Sequence, residues 1–360
     1  MKKLIFLVIL LLINSCISKK NISINYLNEY VIPDSLQFQH QTIGGLSGID
    51  FVNNEYFFVI DDAKNPRIVT AAINIKNDRI KSVDFTKTIL LNDSNTAFYK
   101  ENELDLESIF VDEKTNEIHL VSEGSIRKGK MPTIFSVDEN GKFIKQFQLP
   151  KSFSNIEAIK HNAVFEGLSQ SVDNLGFWVA MESPLSFDGE HPTFEKQSSP
   201  IRITYFDKKL KVATKQFAYQ LEKIPKPYKG NQNINGATAI LELQKNHFLI
   251  VERSYQNNYG SKGNTIKIFE AFIDENTTDI LEISSLKETV FLPLKKKLLF
   301  NFESIKDFLT DGIIDNLEGI TLGPKLKNGN QSLILVADDN FQTFGKQLNQ
   351  FILLEIKTNK

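Results

Sequence analysis

The sequence predicts an all-β protein, a β-propeller of four-stranded blades, and three observations carry that prediction. Phenylalanine appears 28 times against three methionines and one tryptophan, and such aromatic enrichment beside many Asn and Asp turns suits pleated, half-buried strands. One local pattern recurs five times: a strand that opens on a polar residue and a glycine or other small residue, a polar turn, and a second apolar strand that closes on an acid. The last copy of the pattern also lacks a strand, and the N-terminal segment has the right character to supply it.

The copies run in order along the chain. Ser47-Gly48-Ile49 leads to Asp61-Asp62, Glu107-Ser108-Ile109 to Glu123, and Phe165-Glu166-Gly167 to Glu182. Asn235-Gly236-Ala237 leads to Glu252-Arg253, and Glu318-Gly319-Ile320 to Asp338-Asp339. From opening to closing acid the separation is 16 residues for Glu107 and Glu123 and for Glu166 and Glu182, by subtraction. A hairpin returns its end to the level of its start, so both acids of a copy lie at one end of it. Five hairpins around one axis would therefore gather their carboxylates on one face.

Each hairpin is followed by more strand-like sequence. Pro66–Ile73 and Ile80–Leu90 follow the first, and Pro132–Val137 and Phe143–Pro150, with the turn Asn140-Gly141, follow the second. Pro200–Phe206 pairs with Val212–Leu221, and Thr265–Phe272 with either Ile280–Ile283 or Val290–Phe300. The fifth copy has only Gln350–Ile356 after its hairpin. Ile24–Pro33 ends like Phe143–Pro150, which makes it the candidate outer strand and closes the ring between the termini. The expected blade number is five, with six as the alternative if 282–311, where Glu303–Leu309 reads as a short helix, hides a degenerate blade.

The chain of 360 residues is 24% charged with a formal net charge of -2, which gives no basic surface for nucleic acid. Met1-Lys2-Lys3 and the ten-residue apolar run Leu4–Ile13 fall short of the roughly 20 residues that span a bilayer, and read instead as a signal-peptide core. Ile13-Asn14-Ser15-Cys16 resembles a bacterial lipobox, and Cys16 is the only cysteine. The expected organisation is a lipoprotein signal peptide over 1–15, a lipidated Cys16 with a tether to 22, and the propeller domain over 23–360. That predicts an exported monomer, lipid-anchored to the cell envelope and facing the periplasm or the surface.

In a propeller the first strand of each blade lines the channel, so Glu107, Glu166, Asn235 and Glu318 should face its mouth. Asp61, Glu123, Glu182, Glu252 and Asp338 should stand one strand further out. Carboxylates packed this closely raise one another's pKa, and a hard cation relieves the conflict. Ca²⁺ accepts carboxylate, amide and carbonyl oxygens together, so calcium is the expected cofactor, with Glu107, Glu166, Asn235, Glu318 and Asp338 as ligands. Arg67, Arg202 and Arg253 sit at or just after second strands and are candidates to bind a small anionic substrate, such as a phosphate ester, through paired hydrogen bonds. The same acids also have a structural reading, in which they cap turns, hold loop amides or pair with those arginines. Gly48, Gly167, Gly236 and Gly319 are expected at close backbone approaches. The histidines have no zinc-like spacing, and no nucleophile elbow, phosphate-cradling loop or dinucleotide fingerprint occurs.

These motifs together resemble the phytase-like domain family, described as having esterase-like activity of phytase. The matching stretches are Gly45-Leu46-Ser47-Gly48-Ile49, Asp105-Leu106-Glu107-Ser108-Ile109, Phe165-Glu166-Gly167-Leu168-Ser169, Asn235-Gly236-Ala237-Thr238, Asn316-Leu317-Glu318-Gly319-Ile320 and Ala337-Asp338-Asp339-Asn340. The resemblance implies a secreted or envelope-attached β-propeller and suggests calcium-dependent hydrolysis of phosphomonoesters. Glu107, Glu166 and Glu318 would hold metal or activate water there, and Arg67, Arg202 and Arg253 would clamp the anion. Two alternatives stand beside it: a propeller lactonase or esterase that uses the same acids and Asn235 around one cation, and a non-catalytic binding lipoprotein.

Overall fold

The computed structural model describes residues 21–93, 96–195 and 199–358. Five four-stranded antiparallel sheets make five blades. Blade I comprises Leu46–Val52, Glu55–Ile60, Arg67–Ile75 and Ile80–Leu90. Blade II comprises Leu106–Asp112, Glu117–Ser122, Thr133–Val137 and Phe143–Gln146. Blade III comprises Phe165–Gln170, Gly176–Met181, Pro200–Asp207 and Val212–Gln220. Blade IV comprises Asn233–Gln244, His247–Gln256, Asn264–Phe272 and Lys295–Asn301. Blade V takes Leu317–Lys325, Gln331–Ala337 and Asn349–Thr358, and its outer strand is Ile22–Ile32 from the other end of the chain.

Successive inner strands touch around the whole ring, and Leu317–Lys325 meets Leu46–Val52 to close it. The closing strand pairs from Ile32 opposite Asn349, beside the mouth, to Ile22 opposite Thr358 at the far face. Its buried Ile22, Ile24 and Ile32 each contribute roughly 1.5–3 kcal/mol from apolar burial. A second clasp sits nearby, where Asp339 of blade V accepts the Gly45 N–H of blade I at 2.8 Å.

The phenylalanines fill the wedges between blades, which widen away from the axis and need large apolar side chains. Phe58 meets Phe351 edge-on at 5.9 Å between blades I and V, Phe110 meets Phe177 at 5.5 Å between II and III, and Trp178 meets Phe248 at 5.0 Å between III and IV. Asparagines supply the left-handed turns at the far ends of the first hairpins, as at Asn53 and Asn54 (φ 53° and 65°), Asn116 (57°), Asn174 (60°) and Asn246 (61°).

There is no sixth blade among the described residues. The segment after blade IV's third strand returns as its outer strand, Lys295–Asn301, then passes through three short 3₁₀ turns. Those turns, Phe302–Ser304, Lys306–Phe308 and Thr310–Gly312, stand where a short helix was expected. Cys16, the signal segment and most of the tether lie outside the described residues. No helix of the described chain is long and apolar enough to cross a membrane.

Candidate functional site

Every inner strand carries a β-bulge at the same level. Pairing with the second strand skips one residue between Leu46 and Gly48, Leu106 and Ser108, Phe165 and Gly167, Ala237 and Ala239, and Leu317 and Gly319. The extra residues are Ser47, Glu107, Glu166, Thr238 and Glu318, and a bulge frees its extra side chain from the regular alternation. Two of them, Ser47 and Thr238, donate their hydroxyls to the carbonyls of Leu106 and Leu317 on the next blade, at 2.8 and 3.0 Å. The other three are buried glutamates. A side chain at Gly48 would come within 2.7 Å of the Ser108 Cα, so the inner strands need that glycine to approach one another.

One residue past each second strand, the blades carry Asp61, Glu123, Glu182 and Asp338 in I, II, III and V. Their N–H groups bond the carbonyls two residues before the bulge, for example Glu123 to Asp105 and Asp338 to Asn316, at 2.9 and 3.0 Å. In blade IV the matching position, opposite Gly236, belongs to Arg253. With Asp105, the mouth gathers eight carboxylates (Asp61, Asp105, Glu107, Glu123, Glu166, Glu182, Glu318 and Asp338) around one arginine. Six of them, without Asp105 and Glu123, line a cavity of about 1000 Å³ that opens above the ring.

The electrostatics follow from burial without enough countercharge. Burial raises Glu107 well above the usual carboxylate range, and Glu166, Asp61, Glu123 and Asp105 push it further. Burial likewise raises Glu166, with Glu182 and Glu123 adding to it, and raises Asp61, with Asp338 and Asp105 adding. Glu123 and Asp338 rise for the same reasons, although the Val164 and Asn340 N–H groups pull them back. Burial takes Glu318 to about 7 even though Arg253 opposes it. Arg253 lies 3.2 Å from Glu182 and 3.4 Å from Glu318, donates to Asn316, and is held protonated by these acids against its own burial.

Two groups of carboxylates suit a hard cation. One oxygen each from Asp61, Asp105 and Glu107 lie within 4.8 Å of one another, and so do oxygens from Glu107, Glu123 and Glu166. Ligands about 2.3 to 2.6 Å from a Ca²⁺ can stand that far apart. Glu123 Oε1 accepts the Val164 N–H, while its Oε2 is buried with no hydrogen-bond partner. A buried carboxylate oxygen without a donor is what a cation would complete. None of the five histidines lines the cavity, so the donor set is oxygen throughout.

The structure gathers Glu107, Glu166, Glu318, Asp338 and Arg253 at the mouth, brings Asp61, Glu123 and Glu182 of the second-strand ends to the same ring, and leaves Asn235, Glu252, Arg67 and Arg202 elsewhere. Asn235 points away as a ligand: its amide donates to Glu222 O and Glu252, and its oxygen accepts from Ser254 at 2.7 Å. The fourth bulge residue is Thr238, three positions on. Glu252 also faces away, accepting from Tyr219, the Glu222 N–H and Lys296. Arg202 has no exposed surface and spends its guanidinium on Asp188 and Gln216 at 2.6 to 2.8 Å. Arg67 ties Asp62 and the carbonyls of Asn65 and Thr42 together. Both arginines belong to third strands, a layer outside the ring, and serve as internal clamps, not as an anion site. Asp105 joins the ring without a role predicted from sequence; its place two residues before Glu107, just ahead of the bulged strand, is the signal for it.

A family model described as phytase-like, esterase-like activity of phytase, matches residues 41–341. No protein of curated function matches the chain. Among solved structures, an endo-arabinase from Bacteroides thetaiotaomicron is similar at 11% identity and a TM-score of 0.47, over 88% of this chain and 96% of that one. An exo-β-1,3-galactanase from Phanerochaete chrysosporium is similar at 12% identity and a TM-score of 0.48, over 91% of this chain and 64% of the galactanase. The major allergen of Malassezia sympodialis is similar at 12% identity and a TM-score of 0.43, over 90% of this chain and 82% of the allergen.

Proposed function

We propose, because the chain belongs to the phytase-like family, that it is a calcium-dependent phosphomonoesterase whose site is the acidic mouth of the propeller. The observation that carries this reading is the ring of eight carboxylates, six of them buried, with one arginine, in which the Glu123 Oε2 has no donor. Asp61, Asp105, Glu107, Glu123 and Glu166 hold the cation. Bound calcium would supply charge to balance these carboxylates and to polarise a phosphoryl oxygen. Glu318, at about 7, is set to take a proton from water near neutrality, where a general base works best. Arg253 is fixed by Glu182 and Glu318 and keeps its Nε–H without a partner, so it can receive the phosphate and orient it. A lactonase that needs the Asn235 amide as a metal ligand fits less well, because that amide is engaged within blade IV.

The test is phosphate release by protein lacking residues 1–16, with added calcium and with chelator, beside Glu318→Gln. Calcium-dependent release that this variant loses supports the reading. Folded, calcium-binding protein that releases no phosphate from any ester overturns it and leaves a binding role. The reading includes an envelope anchor through lipid on Cys16: Cys16→Ala is expected in the soluble fraction, and its retention on membranes would overturn the anchor.

A further inference from the structure

The cavity above the ring is one-sided. In blade IV the first hairpin continues for four residue pairs beyond Ala237 and Glu252, ending at Asn233 opposite Gln256. At about 3.3 Å per residue it reaches roughly 13 Å past that pair and roughly 10 Å above Arg253, which sits at the level of the ring. This parapet and the loops of blade V form a wall over the carboxylate floor, in which Gln232, Tyr255, Asn257 and Asn264 face the same cavity as Phe344 and Gln347.

We propose that this wall is a subsite for a neutral, hydroxyl-rich group, the alcohol portion of a sugar or polyol monophosphate. The proposal rests on the phosphomonoesterase reading and names its substrate class. The polar groups of the wall are chiefly amides. Its lysine, Lys346, is paired with Asp311 at 2.6 Å, and Arg253 is held by ring acids. Asn264 Oδ1 and Gln347 Oε1, one from blade IV and one from blade V, are buried acceptors with no partner. A hydroxyl can donate to them; a second phosphate, which only accepts at neutral pH, cannot. The carboxylate floor also repels further anionic groups. Tyr255 offers an aromatic face on which the apolar side of a sugar ring can lie, and the volume leaves room for much more than one phosphate. A polyphosphorylated ligand is therefore a poor fit, and a singly phosphorylated one a good fit.

The experiment uses calcium-loaded protein with three probes: glucose 1-phosphate, methyl phosphate and phytate. The parent should favour glucose 1-phosphate over methyl phosphate by at least about tenfold in kcat/KM, an effect carried by KM. Tyr255→Ala and Asn264→Leu should lose most of that preference, and Tyr255→Phe should keep it. Equal preference in all variants, or faster release from phytate than from glucose 1-phosphate, overturns the proposal. If no ester is hydrolysed, the phosphatase reading has failed, and saturation-transfer NMR with free glucose decides the subsite alone. Binding that Tyr255→Ala abolishes supports it, and no binding to the parent overturns it.

Discussion

At the far turns of the blades, carboxylates are neutralised locally. Asp138 accepts the N–H groups of Asn140 and Lys142 at 2.9 Å, and Asp207 those of Lys209 and Leu210 at 2.8 Å. Asp112 feels the upward push of burial, yet the Lys208 ammonium at 2.6 Å and the Lys114 N–H hold it below the usual range. Asp173 is treated the same way by Ser171 and Leu175. At the mouth, a strand's length away, Glu107, Glu166 and Asp61 are buried among one another and raised. Acids occur at both ends of the hairpins and look alike in sequence. What separates them is whether the fold itself provides partners: at Asp112, Asp138, Asp173 and Asp207 it does, and at the mouth Arg253 is, among the described residues, the one cation in contact with the ring acids.

The most severe way to break this contrast is to remove Glu107, which belongs to both close carboxylate groups. Glu107→Gln is expected to reduce calcium-dependent turnover roughly a hundredfold or more, while Asp112→Asn changes it by less than about twofold. Steady-state phosphate release from the two variants, side by side, checks the pair. Next comes Arg253→Met, which strips Glu182 and Glu318 of their partner. Breaking a buried ion pair costs about 3–5 kcal/mol, so the urea midpoint in chelator should drop sharply and recover in part with calcium. An unchanged midpoint would mean the arginine balances nothing.

A milder test uses pH. Glu318 rises from 4.5 to about 7 on folding, so its contribution to stability is fully present below about 4.5 and is lost as pH rises through about 7. The melting temperature of chelated protein should fall over that window, and Glu318→Gln should fall less steeply; parallel curves would count against the shift. The smallest effect is expected for the stability of Asp112→Asn, about 1.5 kcal/mol by denaturant titration, because a charged hydrogen bond to the largely buried Lys208 is lost while the new amide oxygen can still accept the Lys114 N–H.

Much of this architecture is legible in the chain. The five repeats, the closing strand Ile24–Pro33 and three glutamates of the mouth follow from spacing and alternation. The register of blade IV does not, because its hairpin is longer at the mouth end, and aligning Asn235 with the glutamates slides the frame by three residues from Thr238. Successive side chains of a strand face opposite ways, so a shift of one residue exchanges Glu252, which turns outward, for Arg253, which joins the ring. Arg67 and Arg202 mislead for a related reason. They come after second strands in sequence, whereas Arg253 lies within one, and the turn between has already carried them a layer outward.

Ile22 and Thr358 are paired at the face opposite the mouth, so the described chain enters and leaves from beneath the site. If Cys16 carries a lipid, six residue steps lead from it to Ile22, a reach of at most about 20 Å. The propeller would then stand on the bilayer like a cup on a table, its rim turned toward whatever diffuses past. The same geometry lets the protein be grafted by either end onto a bead or electrode with its opening unobstructed.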